Sequence, residues 1–377
     1  MVRNEKISAR QFGILVALYS IGTTILIVPA VLAEEAKQDA WIAALLGVGI
    51  GIVLVGLFIA VGSLIPSMSL VELMEELLGK WLGKAVSLTF IFFALVTASE
   101  LLYFVGNFIT TQIMPETPMQ SINIIFACVV VMGVRLGIET LARSAELLFP
   151  LFVFLFLVFV IFVSPQVKVE NIQPVLEADF KNLLRAAIYF ISVFSLPTVV
   201  LLMVYPASVN RPNEAKKNFF SGVIIAGVTL IIMIALSILV LGVTTTQLQI
   251  YPSYSLAKKI NVGNFLQRIE IVMAGMWFIS IFFKLSLYFY ASVTGLAQTL
   301  NVKDYRFLTL PLGVVMVALS MLVHPNTLHS FEYNRETWLS YVSTYGLFLP
   351  LLLLGVYAFR RKGRQDMATS SNETKSE

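Results

Sequence analysis

Ser20-Ile21-Gly22-Thr23-Thr24-Ile25, with Pro29 shortly after it, and Ser195-Leu196-Pro197-Thr198 are the two stretches on which the fold turns. Each lies near the middle of an apolar run long enough to cross a bilayer. Each also holds a residue that an uninterrupted helix disfavours. Proline lacks an N–H donor and crowds the carbonyl four residues back, which for Pro197 is Val193. In hydrocarbon, a backbone group freed in this way has to meet protein or a wet cavity. These runs are the first and the sixth along the chain. Matched interruptions five spans apart point to an inverted repeat of five plus five. In such folds the ligand site lies near the midplane, where half-helix ends offer bare amides and carbonyls. The plainer alternative is that Pro197 only kinks its helix and Gly22 only lets helices pack closely.

The surrounding composition supports a membrane setting. Of 377 residues, 58% are hydrophobic and 13% charged, against about 25% charged in soluble domains. A mean hydropathy of +0.86 leaves too little polar surface to coat a water-soluble globule. That argues against a soluble enzyme, a nucleic-acid binder or a disordered scaffold. The net charge of +4 is spread between apolar stretches rather than gathered into a patch. Cys128 is the single cysteine, so an intrachain disulfide is impossible.

A crossing helix needs about 20 apolar residues. The expected spans lie at about 11–33, 41–62, 85–110, 119–134, 146–163, 184–205, 218–243, 270–294, 307–323 and 337–359. The fold class expected is all-α integral membrane, with ten transmembrane helices in repeats at about 11–163 and 184–359. Residues 1–10 form a cytoplasmic N-terminus and 360–377 a disordered polar tail. Of the 26 lysines and arginines, 17 fall on the side that carries the termini and 8 on the other, which puts both termini in the cytoplasm. Residues 68–83 alternate leucines with Glu72, Glu75 and Glu76 at helical spacing, which predicts a short interfacial helix. Loops 164–183 and 244–268 are long enough for short helices that cap the bundle.

Two ionisable residues stand at depth, Glu100 in span three and Lys284 in span eight. A central charge costs about 2.5–3.5 kcal/mol on insertion scales, so such groups face the bundle interior and find partners. Spans three and eight are equivalents in a five-plus-five repeat. Their Cα atoms differ in depth by about 7 Å at the helical rise, within reach of a lysine. Glu100 and Lys284 either form a charge pair beside the central site, directly or through water, or the Lys284 ammonium stands in for a coupling cation and satisfies carbonyls of the unwound first span. A third reading is that each side chain only ties helices together. His324 and His329 fall in the last outer loop without carboxylates placed to complete a metal site, which gives a structural or solvent-facing role. The phenylalanine-rich run 152–162 faces lipid or other helices. With no phosphate loop, zinc-ligand cluster or nucleophile–base motif, neither an enzyme nor a metal or other cofactor is expected.

Gly22-Thr23-Thr24-Ile25-Leu26 followed by Pro29 resembles the first-span motif of the spore germination permeases, the B subunits of nutrient germinant receptors. These form a branch of the amino acid–polyamine–organocation transporter superfamily. Leu78-Gly79-Lys80-Trp81-Leu82-Gly83, Thr117-Pro118, Phe149-Pro150, Gln173-Pro174-Val175-Leu176 and Gly295-Leu296 agree with it in order and spacing, from about residue 6 to 360. The resemblance implies a nutrient-sensing subunit of the inner membrane of a bacterial endospore. It would bind an amino acid or similar small nutrient and work with a larger A subunit and a lipoprotein C subunit. An amino acid transporter of the same fold, proton-coupled or facilitated, is the competing function, and a purely structural membrane protein a third. Carried over by position, the ligand site comprises Gly22, Thr23, Thr24, Ile25, Thr97, Glu100, Ser195, Leu196, Thr198, Phe283 and Lys284, with helix breaks at Gly22, Pro29 and Pro197. Thr24 stands where amino-acid-binding relatives often have glycine.

Overall fold

Span one winds as two helices, Ala9–Ile21 and Thr24–Ala36, separated at Gly22 and Thr23. The computed structural model of the chain describes residues 5–259 and 270–373. A reciprocal cap between Ser8 and Gln11 starts the first helix, satisfying end amides that would otherwise be orphaned. Gly22 ends it at φ 23° and ψ −121°. A Cβ at that position would fall on the Lys284 side chain, so only glycine lets span eight approach so closely.

Span six breaks at Ser195. The helix Phe180–Phe194 gives way to a tighter 3-10 helix, Leu196–Met203. Pro197 cannot donate to the Val193 carbonyl, and the chain narrows rather than continuing. The expectation of a third break at Pro29 is corrected, because the helix Thr24–Ala36 runs straight through it. The donor missing at Pro29 is replaced from outside. The Ser253 hydroxyl, on the short helix Pro252–Lys258, donates to the Ile25 carbonyl at 2.6 Å.

The remaining spans are Ala40–Gly62, Lys80–Gln112, Met119–Leu136, Ile138–Val163, Pro212–Leu241, Glu270–Thr299, Arg306–Leu322 and the irregular run Thr327–Arg361. Among the described residues, eight helical runs are long and apolar enough to cross a membrane. One of these, Thr24–Gly62, turns at Lys37–Asp39 and holds both the second half of span one and span two. With that turn counted, and with the shorter apolar helices Ala9–Ile21 and Arg306–Leu322 included, the ten spans of a five-plus-five repeat are complete. The chain is an all-α, multi-pass integral membrane protein.

The predicted interfacial helix is Leu70–Leu78, capped reciprocally by Ser69 and Glu72. In the phenylalanine-rich stretch, Phe152 and Phe159 are buried while Phe154 faces outward.

Span ten departs most from its expected form. It begins at Thr327 rather than 337 and carries two wide π-turns, Tyr333–Thr337 and Thr344–Phe348. It then winds on to Glu373, through most of the tail expected to be disordered. An established helix extends cheaply, one bond per residue fixed. Residues 374–377, the loop end at 260–268 and the charges Arg3, Arg268 and Lys375 lie outside the described residues.

On the face that carries the N-terminus, the first described residues are stitched to the bundle. Ile7 exchanges backbone hydrogen bonds with Ser208 and Asn210 at 2.9 and 3.0 Å. The Glu5 carboxylate accepts from the Ile138 amide at 2.9 Å and lies 3.5 Å from Arg306.

Candidate ligand site at the two helix breaks

The two prolines act on carbonyls, and the carbonyl freed by Pro197 builds the site. Val193 O accepts from the Lys284 ammonium at 3.2 Å and is approached by the Thr24 hydroxyl at 3.4 Å. Lys284 Nζ also donates to Thr23 Oγ1 at 3.3 Å and lies 5.7 Å from the centre of the Tyr19 ring. One ammonium thus bridges both broken helices, and only 3% of its residue surface is exposed. Two further bonds brace the break: Tyr19 OH donates to the Pro197 carbonyl at 2.7 Å, and Trp338 Nε1 to the Ser192 carbonyl at 2.9 Å.

Glu100, equally buried, faces Lys284 across a small chamber but spends its contacts elsewhere. Asn334 Nδ2 donates to Glu100 Oε1 at 3.4 Å, and His324 Nε2 lies 3.5 Å from the same oxygen. Among the described residues no ion pair joins Glu100 to Lys284. The second sequence reading of Lys284 expected the ammonium to satisfy carbonyls of span one. The ammonium does satisfy a bare carbonyl, though it belongs to span six, while span one contributes a hydroxyl.

The chamber is lined by Thr23, Thr97, Glu100, Lys284, Val193 and Tyr288, and roofed by Ile27, Phe104 and Asn334. Its volume is about 20 Å³, room for a water. The roofing residues also form the floor of a cavity of about 470 Å³ that opens toward the face opposite the termini. Glu34, Tyr189 and Arg335 line that vestibule, and Arg335 pairs with Glu34 at 2.6 Å across its mouth.

Of the residues expected at the site, Thr23, Thr97, Glu100 and Lys284 share the chamber wall, and Gly22 abuts Lys284. The others lie nearby with other neighbours. Thr24 turns its hydroxyl to the Ser20 and Val193 carbonyls, and Ile25 offers its carbonyl to Ser253. Ser195 packs by span two at Gly51, and Leu196 against Gly346 of span ten. Thr198 bonds back to the Ser195 carbonyl, and Phe283 stacks edge-on with Phe282. Sequence reasoning passed over Val193 as a wall residue, along with Tyr288, Asn334 and Trp338. The proline rule already named the Val193 carbonyl. The π-turn that delivers Asn334 has no comparable signal.

The sequence profile of spore germination proteins matches residues 6–328. The chain belongs to the spore germination permease family. Among similar family members, spore germination protein KB of Bacillus subtilis (strain 168) is 30% identical over 97% of this chain and 98% of its own length. Spore germination protein XB of Bacillus anthracis is 22% identical over 93% and 98%. Solved structures share the fold at low identity. The nucleobase-cation-symport transporter MHP1, closed with bromovinylhydantoin bound, superposes with a TM-score of 0.66 at 14% identity, covering 92% of this chain and 79% of that one. MhsT in complex with L-phenylalanine gives 0.64 at 16% identity, covering 94% and 99%. The spore germination permease thus shares its fold with solved membrane transporters.

Proposed function

We propose that this chain is the membrane subunit of a spore nutrient germinant receptor, binding an amino acid or similar small nutrient at the midplane chamber. What carries this reading is a small chamber at the meeting of both helix breaks, with an ammonium, a carboxyl group and an unpartnered hydroxyl in its wall. Thr97 Oγ1 is buried and finds no hydrogen-bond partner, an arrangement that buried polar atoms avoid unless something else fills it. A zwitterion complements this wall: its carboxylate toward Lys284 and the Thr23 and Thr97 hydroxyls, its ammonium toward Glu100. Leu101, Phe104 and Trp338 supply apolar surface for a side chain. Two proteins of this fold, solved with an amino acid and with a hydantoin, accord with such a ligand.

At about 20 Å³ the chamber is too small for an amino acid, so ligand entry requires its roof to lift. Driving a two-state balance roughly from 1:99 to 99:1 takes about 5.5 kcal/mol of differential affinity. Relative movement of the broken helices supplies the bistable element, read out by the A and C subunits. The excess of basic residues in the connecting segments on the side of the termini favours a cytoplasmic location for both, which in a spore inner membrane is the core side. A second reading, a proton-coupled or facilitated amino acid transporter, is favoured by the buried Glu100 facing the chamber.

The test uses the purified full-length chain and a panel of proteinogenic amino acids. At least one should raise its melting temperature, and Thr97→Val and Lys284→Met should each abolish that shift. Spores lacking the chain should fail to germinate on the same amino acid. No stabilisation by any of them, with germination intact, overturns the reading. Uptake of the stabilising amino acid into liposomes would decide for the transporter.

A further inference from the structure

His324 and His329 were expected to lie in a loop. His324 does lie in the loop between Leu322 and Thr327, but is buried to 3% exposure behind span three, and His329 sits exposed in the first turn of the helix Thr327–Glu332. The two Nδ1 atoms are 3.1 Å apart, so one ring donates to the other. The opposite nitrogen of His324, Nε2, lies 3.5 Å from Glu100 Oε1 and makes no hydrogen bond. The nitrogens of His324 therefore face two different partners. With Glu100 at the opposite nitrogen, the three side chains do not converge on one metal ion. The arrangement suits an imidazole that accepts a proton on one side and releases one from the other.

We propose that His329, His324 and Glu100 form a proton relay joining solvent on the face opposite the termini to the central chamber. His329 takes a proton from water at Nε2 and passes its Nδ1 proton to His324 Nδ1. His324 then gives its Nε2 proton to Glu100 Oε1. One proton has moved from water to the carboxylate, and both rings are left neutral in the exchanged tautomer, restored by the reverse transfer or by ring rotation. Tyr103, Phe104 and Tyr333 wall the buried ring at 5.0, 6.5 and 5.3 Å between centroids, excluding water from its sides. Asn326 fixes the start of the helix that presents His329, accepting from the His329 amide at 2.8 Å. Asn334 holds the receiving carboxylate.

The other titratable groups in the field of Glu100 are the Lys284 ammonium and the phenols of Tyr189, Tyr288, Tyr333 and Tyr341. Those facing His324 are Glu100, His329, Tyr103 and Tyr333. With Lys284 cationic, a protonated Glu100 leaves the chamber net positive and an ionised one leaves it neutral. The relay thus lets pH on that face set the charge that a ligand meets. It needs no particular ligand, so it stands or falls apart from the nutrient-binding reading.

The test places the full-length chain in phosphatidylcholine–phosphatidylglycerol nanodiscs and follows the carboxylic acid C=O band in the infrared after a downward pH jump. A band that Glu100→Gln removes should rise rapidly in the native chain. His324→Gln and His329→Gln should each slow its rise by about 10²-fold while leaving its final height similar. His329 is exposed, so His329→Gln keeps the test meaningful if the buried variant fails to fold. An unchanged rate in His329→Gln, or no Glu100 band between mildly acidic and mildly alkaline pH, overturns the relay.

Discussion

An ammonium buried mid-membrane persists only where its donors are met, and Lys284 meets them with groups made available by two other residues. Pro197 releases the Val193 carbonyl, and the turn at Gly22 brings Thr23 into line. Lys284→Met therefore removes a charge and also leaves the Val193 carbonyl with only the long 3.4 Å contact from the Thr24 hydroxyl, a loss of about 1 kcal/mol from that hydrogen bond alone. Lys284→Gln, which keeps a donor, should lose less; thermal unfolding of the two purified variants makes the comparison. Gly22→Ala should cost about 1–3 kcal/mol through its left-handed backbone and more through collision with Lys284. Its measured melting temperature should fall below that of Gly49→Ala, where a Cβ meets open space. At this scale the sequence was informative about charge and silent about partners. Glu100 and Lys284 stood out because charges are costly in hydrocarbon. His324 and Asn334 gave no sign of facing Glu100, since more than 220 residues of chain separate them from it.

Among elements, the helix Pro252–Lys258 is tied to span one by a bond that Pro29 makes possible. Ser253→Ala removes it at a cost of about 1 kcal/mol. Amide hydrogen exchange should then quicken within Pro252–Lys258 and leave the helix Leu70–Leu78 unaffected. Pro29→Ala should weaken the same contact by restoring a helical donor to Ile25. The breaks at Gly22 and Pro197 were legible because glycine and proline carry their backbone rules with them. Pro29 misled for an instructive reason: the same rule predicts a freed carbonyl, and whether the helix yields depends on what arrives to meet it. The π-turns of span ten were illegible, because an extra residue in a helical turn leaves no compositional mark.

Over the whole molecule, ten apolar runs and two matched breaks specified the architecture, while the route to its centre depended on distant contacts. The vestibule stops at Ile27, Phe104 and Asn334, and the exposed Arg335–Glu34 pair spans its mouth. An exposed pair of this kind contributes about 0–1 kcal/mol, so Arg335→Gln should change stability little. It should alter access instead. In a Cys128→Ser background, Phe104→Cys should react slowly with a water-soluble maleimide, and adding Arg335→Gln should speed the reaction. Equal rates would mean that the pair does not restrain opening.

The stitched start of the chain bears on how the protein can be handled. Ile7 lies in register beside residues 208–210, and Glu5 is lodged against Ile138 and Arg306. A fusion partner or affinity handle joined directly ahead of these residues would tug on the seam that closes that side of the bundle. The opposite terminus, beyond the long last helix, is the safer place for a reporter.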